Sequence, residues 1–346
     1  MSRNYSLGRR SVLSGLAMAG VVAASAPAIA LAINRSTGVN GEGQLPPEDL
    51  FGESDQSVRY RTVQVDGVEI FYREAGPKDA PILLLLHGYP SSSRMFDPLL
   101  PLLAKSYRCI APDYPGFGHS QMPDRHLYQY TFEHLAKTIA AFTEALALNR
   151  YSLYMQDYGG PIGFHLALAH PQRVQALIVQ NAVIHEAGLS DLWKLRRAFW
   201  QDRAAYEQKI LDGMPAPSSG VARYVGARKN RESFNPDLWS DEIAFLQKPG
   251  VASVQLELAY DYQNNVREYP RWQAYLKDSK LPLLVLWGVH DLIFSEEGAK
   301  SIKNDRPDAE LHMLDAGHFA LNEQPIKMSG LIKRFLDQAL AGVNRP

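Results

Sequence analysis

The 346-residue chain has a single cysteine, Cys109. Without a second thiol it can form no intramolecular disulfide and no cysteine-based metal cluster. A surplus of one charge is missing as well. The 36 lysines and arginines face 37 aspartates and glutamates, a net charge of −1, and this argues against a basic footprint for nucleic acid. No apolar run beyond the N-terminus approaches the about 20 residues needed to span a bilayer. With 46% hydrophobic and 21% charged residues the composition is that of a globular protein, which excludes wholesale disorder, collagen and coiled coil. The pentapeptide G-x-S-x-G, the G-x-G-x-x-G fingerprint and the Walker pattern are all absent, so there is no serine elbow, dinucleotide or P-loop signature.

What is present begins with an address. Arg3, Arg9 and Arg10 precede an uncharged stretch of small and apolar residues, Ser11 to Ala26, and Ala28-Ile29-Ala30 has the small-x-small form of a cleavage site. Residues 1–30 therefore read as a secretory signal, and Arg9-Arg10 resembles a twin-arginine signal, with a Sec signal or an uncleaved anchor as alternatives. The stretch is short for an anchor, so the expectation is an exported protein, periplasmic or extracellular, with no stable membrane span. Residues 31–56 are polar and aperiodic and read as a linker.

From Arg59 onward the pattern is regular. Two alternating segments flank Asp66-Gly67, a hairpin signal. Continuous apolar runs follow at Pro81–His87, around Cys109–Ala111, and at Tyr151–Met155, Ala176–Val179, Leu283–Trp287 and Leu311–Leu314, as expected for strands buried on both faces. Helical patterns lie between them, at Tyr130–Leu148, Gly160–Ala169, Glu296–Asn304 and Ile326–Leu340. This alternation predicts a doubly wound α/β sheet. It lapses over 187–277, a helical and aromatic segment too long for a connection. That segment predicts a helical cap inserted into a core formed by 57–186 and 278–346, seated over the edge where α/β sheets bind ligands.

The candidate chemistry lies at strand ends. Gln156-Asp157-Tyr158-Gly159-Gly160 joins a strand to a helix, with small residues where a sharp elbow would make Cβ atoms collide and Asp where a nucleophilic serine usually stands. Asp291 follows the strand Leu283–Trp287, and His318 follows the next strand in Asp315-Ala-Gly-His318-Phe319. His87-Gly88-Tyr89-Pro90 ends an earlier strand, and a Gly-rich turn, Asp113-Tyr-Pro-Gly-Phe-Gly-His-Ser120, ends the one after it. Taken singly, each is an ordinary turn or cap residue. Taken together, the order nucleophile, acid, histidine at successive strand ends points to a catalytic set. His165 and His170, five apart on one helix, do not share a face and are poor metal ligands.

From Arg59 to the C-terminus the H-G-x-P, D-x-P-G-x-G-x-S, Q-D-Y-G-G and G-H-F motifs resemble the α/β-hydrolases of the epoxide hydrolase and haloalkane dehalogenase branch. The resemblance implies a mostly parallel eight-stranded sheet flanked by helices, with a cap. It implies Asp157 as nucleophile, Asp291 and His318 as its partners, and the backbone N–H groups of Tyr89 and Tyr158 as the oxyanion hole. His87, Gly88 and Pro90 would shape the oxyanion loop. No metal and no cofactor are implied, and the partner is a small molecule with an electrophilic sp3 carbon. In this branch tyrosine hydroxyls from the cap serve epoxides, whereas Trp or Asn N–H donors serve halides. Tyr stands at both positions 89 and 158 where those halide donors occur, while Tyr262 and Tyr206 are spaced like the epoxide-ring donors. Trp193 or Trp200 keeps a halide donor in play. The expectation is an epoxide hydrolase. The alternatives are a haloalkane or haloacid dehalogenase with the same triad and a non-catalytic binding protein on the same fold.

Overall fold

The computed structural model describes residues 57–341, except 215, 216, 227 and 229. The signal expected at 1–30 and the linker at 31–56 lie outside the described residues. Eight strands form one sheet: β1 (Arg59–Val65), β2 (Val68–Ala75), β3 (Ile82–Leu86), β4 (Arg108–Pro112), β5 (Tyr151–Gln156), β6 (Val174–Gln180), β7 (Leu283–Gly288) and β8 (Glu310–Leu314). Their order across the sheet is β1-β2-β4-β3-β5-β6-β7-β8. The β1–β2 and β2–β4 pairs are antiparallel, and all others are parallel. Asp66 and Gly67 turn the first hairpin with φ of 49° and 81°, the two positive values a tight primed turn requires.

Helices cover both faces. α1 (Leu100–Leu103), α2 (Phe132–Ala145) and α3 (Gly159–Ala169) precede β6, and α4 (Trp193–Gln201), α5 (Arg203–Gly213), α6 (Pro217–Val225), α7 (Asp237–Leu246) and α8 (Val251–Asp278) lie between β6 and β7. α9 (Glu296–Asp305), α10 (Ala320–Glu323) and α11 (Pro325–Leu340) complete the chain. The period-2 geometry of a strand sends alternate residues of β3 to opposite layers. Leu84 and Leu86 join one core with Phe132, Ile162 and Trp272, while Leu83 and Leu85 join the other with Leu100, Ile332 and Leu336. That explains why these strands read as unbroken apolar runs. Cys109 is buried on β4, and burial pushes its thiol up, away from reactivity. Because parallel strands all point one way, the loops after β3, β5, β7 and β8 emerge at one edge of the sheet, and the candidate residues sit there. No helix among the described residues is long and apolar enough to cross a membrane.

Candidate active site

The loop between β5 and α3 places Asp157 at φ 47°, in the left-handed region that non-glycine residues rarely occupy. Such a conformation costs about 1–3 kcal/mol and persists where the surroundings over-determine it. Here they do so by contact. A Cβ on Gly159 would lie 2.1 Å from the Leu86 carbonyl oxygen, and one on Gly160 2.9 Å from the Ala182 Cβ. Gly159→Ala should therefore lower the unfolding free energy by about 2–3 kcal/mol, the scale of overpacking in a close-packed core. A denaturant midpoint unchanged from the parent would mean that the elbow tolerates the bulk.

Asp157 is buried, and its two oxygens have different partners. Oδ1 accepts the Tyr89 N–H at 2.7 Å. The Tyr158 N–H also bonds this carboxylate. Oδ2 faces His318 Nε2 at 3.7 Å. Burial raises the Asp157 pKa above its ordinary value, and His318, the two amides and Arg223 oppose that rise. The loop that presents the Tyr89 N–H depends on Gly88, where a Cβ would lie 2.6 Å from Asp157 Cβ and 2.0 Å from Gln156 Oε1. Pro90 completes that loop through a cis Tyr89–Pro90 bond. His87 is fully buried, stacks on the Tyr114 ring at 3.9 Å, and its carbonyl accepts the Tyr114 hydroxyl at 2.9 Å. Desolvation lowers its pKa to about 4, so it is a neutral part of the loop's support.

His318 is 1% exposed, and its Nδ1 lies 2.7 Å from Asp291 Oδ2. A carboxylate only accepts, so Nδ1 carries the proton and Nε2 presents its lone pair. Burial by itself would push this imidazole down, yet the adjacent Asp291 and then Asp157 hold it above its ordinary value. Three buried residues without a role in the sequence reading complete the frame. Asn181, at φ 40° just after β6, donates to Asp291 Oδ2 at 2.8 Å and also bonds both backbone groups of Gly288. Gln180 donates to the His318 carbonyl at 2.9 Å and accepts the Tyr154 hydroxyl at 2.6 Å. Gln156 Nε2 lies 3.0 Å from His318 Nε2. A signal for Asn181 existed in its place at the end of a buried strand. That strand's neighbours, β5 and β7, follow only from the sheet order, which no local pattern records.

These groups open onto a cavity of about 180 Å³ whose sheet-side wall is Tyr89, Asp157, Tyr158 and His318. Its other wall includes Trp193 and Arg196 of α4 and Arg223 of α6. Tyr262 of α8 is one layer back. Its ring lies 4.5 Å from that of Trp193 and 6.0 Å from that of Tyr158, and its hydroxyl is 3.4 Å from the Tyr269 hydroxyl. Tyr206 does not match its expected place. Half-buried on α5, it packs against the satellite cluster of Phe199, Ile210 and Leu256 and is not in the wall of this cavity. The tryptophan N–H groups are also committed: Trp193 donates to the Ile293 carbonyl at 3.0 Å and Trp200 to the Ala259 carbonyl at 2.9 Å. Among the described residues no group of three or more His, Cys, Asp or Glu is placed to hold a metal ion.

Chemically, this arrangement presents a buried carboxylate to a small cavity, with a basic imidazole nitrogen beside one oxygen, the Tyr89 amide on the other, and the Tyr158 amide bonded to the same carboxylate. The comparisons agree with the architecture. A family model described as alpha/beta hydrolase fold matches residues 81–325. The chain is 38% identical over 276 residues to a Saccharomyces cerevisiae protein named uncharacterized hydrolase YNR064C, spanning 78% of this chain and 94% of that one. It is 33% identical over 170 residues to a haloalkane dehalogenase of Bradyrhizobium diazoefficiens (49% of this chain, 54% of that protein). Epoxide hydrolase 1 of Caenorhabditis elegans is 24% identical over 291 residues, 80% of this chain and 70% of that protein. In fold, the crystal structure of a haloalkane dehalogenase from Bradyrhizobium elkani superposes with a TM-score of 0.62 at 24% identity, covering 83% of this chain and 100% of that one. Sheet order, family match and relatives agree that the chain belongs to the alpha/beta hydrolase fold family, as a hydrolase whose homologues include epoxide hydrolases and haloalkane dehalogenases.

Proposed function

We propose that the chain hydrolyses a small molecule at an sp3 carbon through an ester on Asp157, and that this carbon belongs to an epoxide. The observation that carries the reading is the division between the Asp157 oxygens: Oδ1 is held by the Tyr89 amide at 2.7 Å, and Oδ2 faces the cavity beside His318 at 3.7 Å. Oδ2 attacks the ring carbon, the ring C–O bond breaks, and the departing alkoxide takes a proton from a tyrosine hydroxyl of the cavity. That hydroxyl is restored at the end of the cycle by the proton the regenerated Asp157 carboxyl releases. His318, oriented by Asp291, then deprotonates a water that adds to Cγ. The negative charge arrives on Oδ1, where the Tyr89 N–H already points, with the Tyr158 N–H bonded to the same carboxylate. Collapse expels the diol, which carries away Oδ2 and takes its proton from the imidazolium.

The leaving group favours an epoxide because the cavity is lined by tyrosines while the nearby indole N–H groups of Trp193 and Trp200 are already bonded. Tyr89 and Tyr158 line the cavity, Tyr262 stands behind them, and both tryptophan N–H groups are spent on carbonyls. A dehalogenase with the same nucleophile is the second reading, favoured by the Bradyrhizobium diazoefficiens relative. Export guided by residues 1–30 belongs to the same proposal, and the N-terminus of the protein recovered from the cell envelope checks it. The function is tested with a matched panel of epoxides and haloalkanes, reading diol against halide, and with one turnover in ¹⁸O water. Diol formation with label in Asp157 is expected. Halide release without diol would transfer the chain to the second reading, and an unlabelled Asp157 after turnover would remove the ester mechanism.

A further inference from the structure

Gln156 ends β5, one residue before Asp157, and is fully buried. It is not in the cavity wall, so it acts on the reaction only through a neighbour. That neighbour is His318. Gln156 Nε2 lies 3.0 Å from His318 Nε2 and 3.3 Å from the His318 carbonyl oxygen. The carbonyl can only accept, so the end of the carboxamide turned to His318 is the nitrogen. His318 Nδ1 faces the Asp291 carboxylate at 2.7 Å and holds the ring proton, which leaves a single lone pair on Nε2. The amide donates to that lone pair, the one a water would need. The other end of the amide, Oε1, has no partner among the described residues. It lies against Gly88, where a Cβ would come within 2.0 Å of it. A buried acceptor left unpaired is costly. The carboxamide nevertheless faces His318 with its donor end.

Resting on the reading of His318 as the base of ester hydrolysis, we infer that Gln156 is the positioning residue of that base. Its amide N–H holds the Nε2 lone pair, fixes the ring at the end of β5, and favours the neutral imidazole over the imidazolium. A water must displace the amide before it can be deprotonated. An imidazolium would set Nε2–H against the amide hydrogens, donor against donor. Turning the amide over would offer Oε1 to that proton but forfeit the bond to the His318 carbonyl. The charged groups facing the ring are Asp291 after β7, Asp157 after β5, Arg223 of α6 and Glu242 of α7. The two aspartates raise the imidazole, and burial and Arg223 lower it. Phe294 and Phe319 bring uncharged rings. Asp157 Oδ2, at 3.7 Å, is beyond hydrogen-bond reach of Nε2, whereas the Gln156 amide is within it. The amide therefore acts on the atom that takes the proton, and the charges act on the ring as a whole.

The test follows the His318 titration in the full chain by NMR, with ¹⁵N-labelled histidine and glutamine, and reads decay of the Asp157 ester by mass spectrometry across pH. Gln156→Met keeps the length of the side chain and removes the donor. Its His318 midpoint in the free protein is expected to rise by about half to one pH unit, the worth of one net hydrogen bond. The acid limb of ester decay should rise with it. Gln156→Glu, whose carboxylate only accepts, should move both midpoints further. A merely structural role would slow decay equally at every pH and leave both midpoints in place, which would overturn the inference while the nucleophile stands. Where neither variant folds, the parent decides. Its Gln156 side-chain amide signals should move as His318 titrates, and signals indifferent to that titration would overturn the inference. No ester from any epoxide or haloalkane, with the free-protein midpoints displaced as expected, would support the amide–imidazole pair and remove Asp157 as nucleophile.

Discussion

His318→Gln protein mixed with an epoxide accumulates a covalent adduct on Asp157 whose added mass is the whole epoxide, and its steady-state turnover falls by roughly 10²- to 10⁴-fold, the range of a positioned general base. Attack survives because it depends on Asp157 Oδ2 and on the amide that holds Oδ1 at 2.7 Å, neither of which uses the imidazole. Ester hydrolysis slows because Nε2 of His318, the basic nitrogen among the described residues of the cavity wall, is gone. The mass also separates the two substrate readings, since ring opening adds every atom of the epoxide whereas a haloalkane adds only its alkyl group. A folded variant, judged by circular dichroism, that forms no adduct would remove Asp157 from its role. The same base sets the pH dependence. In the free protein burial lowers the imidazole, but Asp291 and Asp157 more than offset that and hold it above its ordinary value. In the ester, Asp157 is neutral and its part of that support is lost. The rate of ester hydrolysis should therefore fall as pH drops through a midpoint lower than the one an NMR titration of His318 gives in the free protein. Coincident midpoints would mean that Asp157 keeps its charge through the rate-limiting step.

The parts of this site that could be read in the chain are those fixed by local geometry. The Asp66-Gly67 turn needs two positive φ values, and the strand runs need two buried faces, so both leave marks in a few adjacent residues. The strand ends that carry Asp157, Asp291 and His318 inherit that legibility. The cap does not. Tyr206 was matched by spacing in a segment rich in tyrosine, and which way its ring turns depends on how α4, α5 and α8 pack, which adjacent residues do not encode. Arg196 and Arg223 look like the solvated charges of any surface helix until α4 and α6 are brought over the sheet edge. Asn181 and Gln180 acquire their partners only because β6 lies between β5 and β7, which is a fact of topology. Local pattern thus locates the candidate carboxylate, and tertiary packing decides what surrounds it.

Asp157→Asn separates what this residue does from what it costs. The amide keeps the shape, its oxygen can still accept the Tyr89 N–H, and Asn tolerates the left-handed φ of 47° at least as well as Asp. What it lacks is the carboxylate nucleophile, so kcat should fall by about 10⁴-fold or more, the scale seen when a member of a catalytic set is removed. Stability should move the other way. Burial raises the folded-state Asp157 pKa above its ordinary value. A carboxyl group raised in the native state favours folding at low pH and loses that contribution as pH rises through the folded value. At neutral pH the parent therefore carries a desolvated charge that the amide does not. The variant should gain about 0.5–2 kcal/mol there, the usual return on neutralising a functional site, and the gain should shrink as pH falls through the raised folded-state value toward the ordinary carboxylate range. The attraction between His318 and Asp157, across 3.7 Å, is lost in the exchange and limits the gain without reversing it, because desolvation is the larger effect on this carboxyl. Unfolding curves of the two proteins at several pH values measure the difference directly. A variant less stable than the parent at pH 7 would make Asp157 a structural anchor of the elbow, whereas inactivity with higher stability is what a strained, buried nucleophile requires.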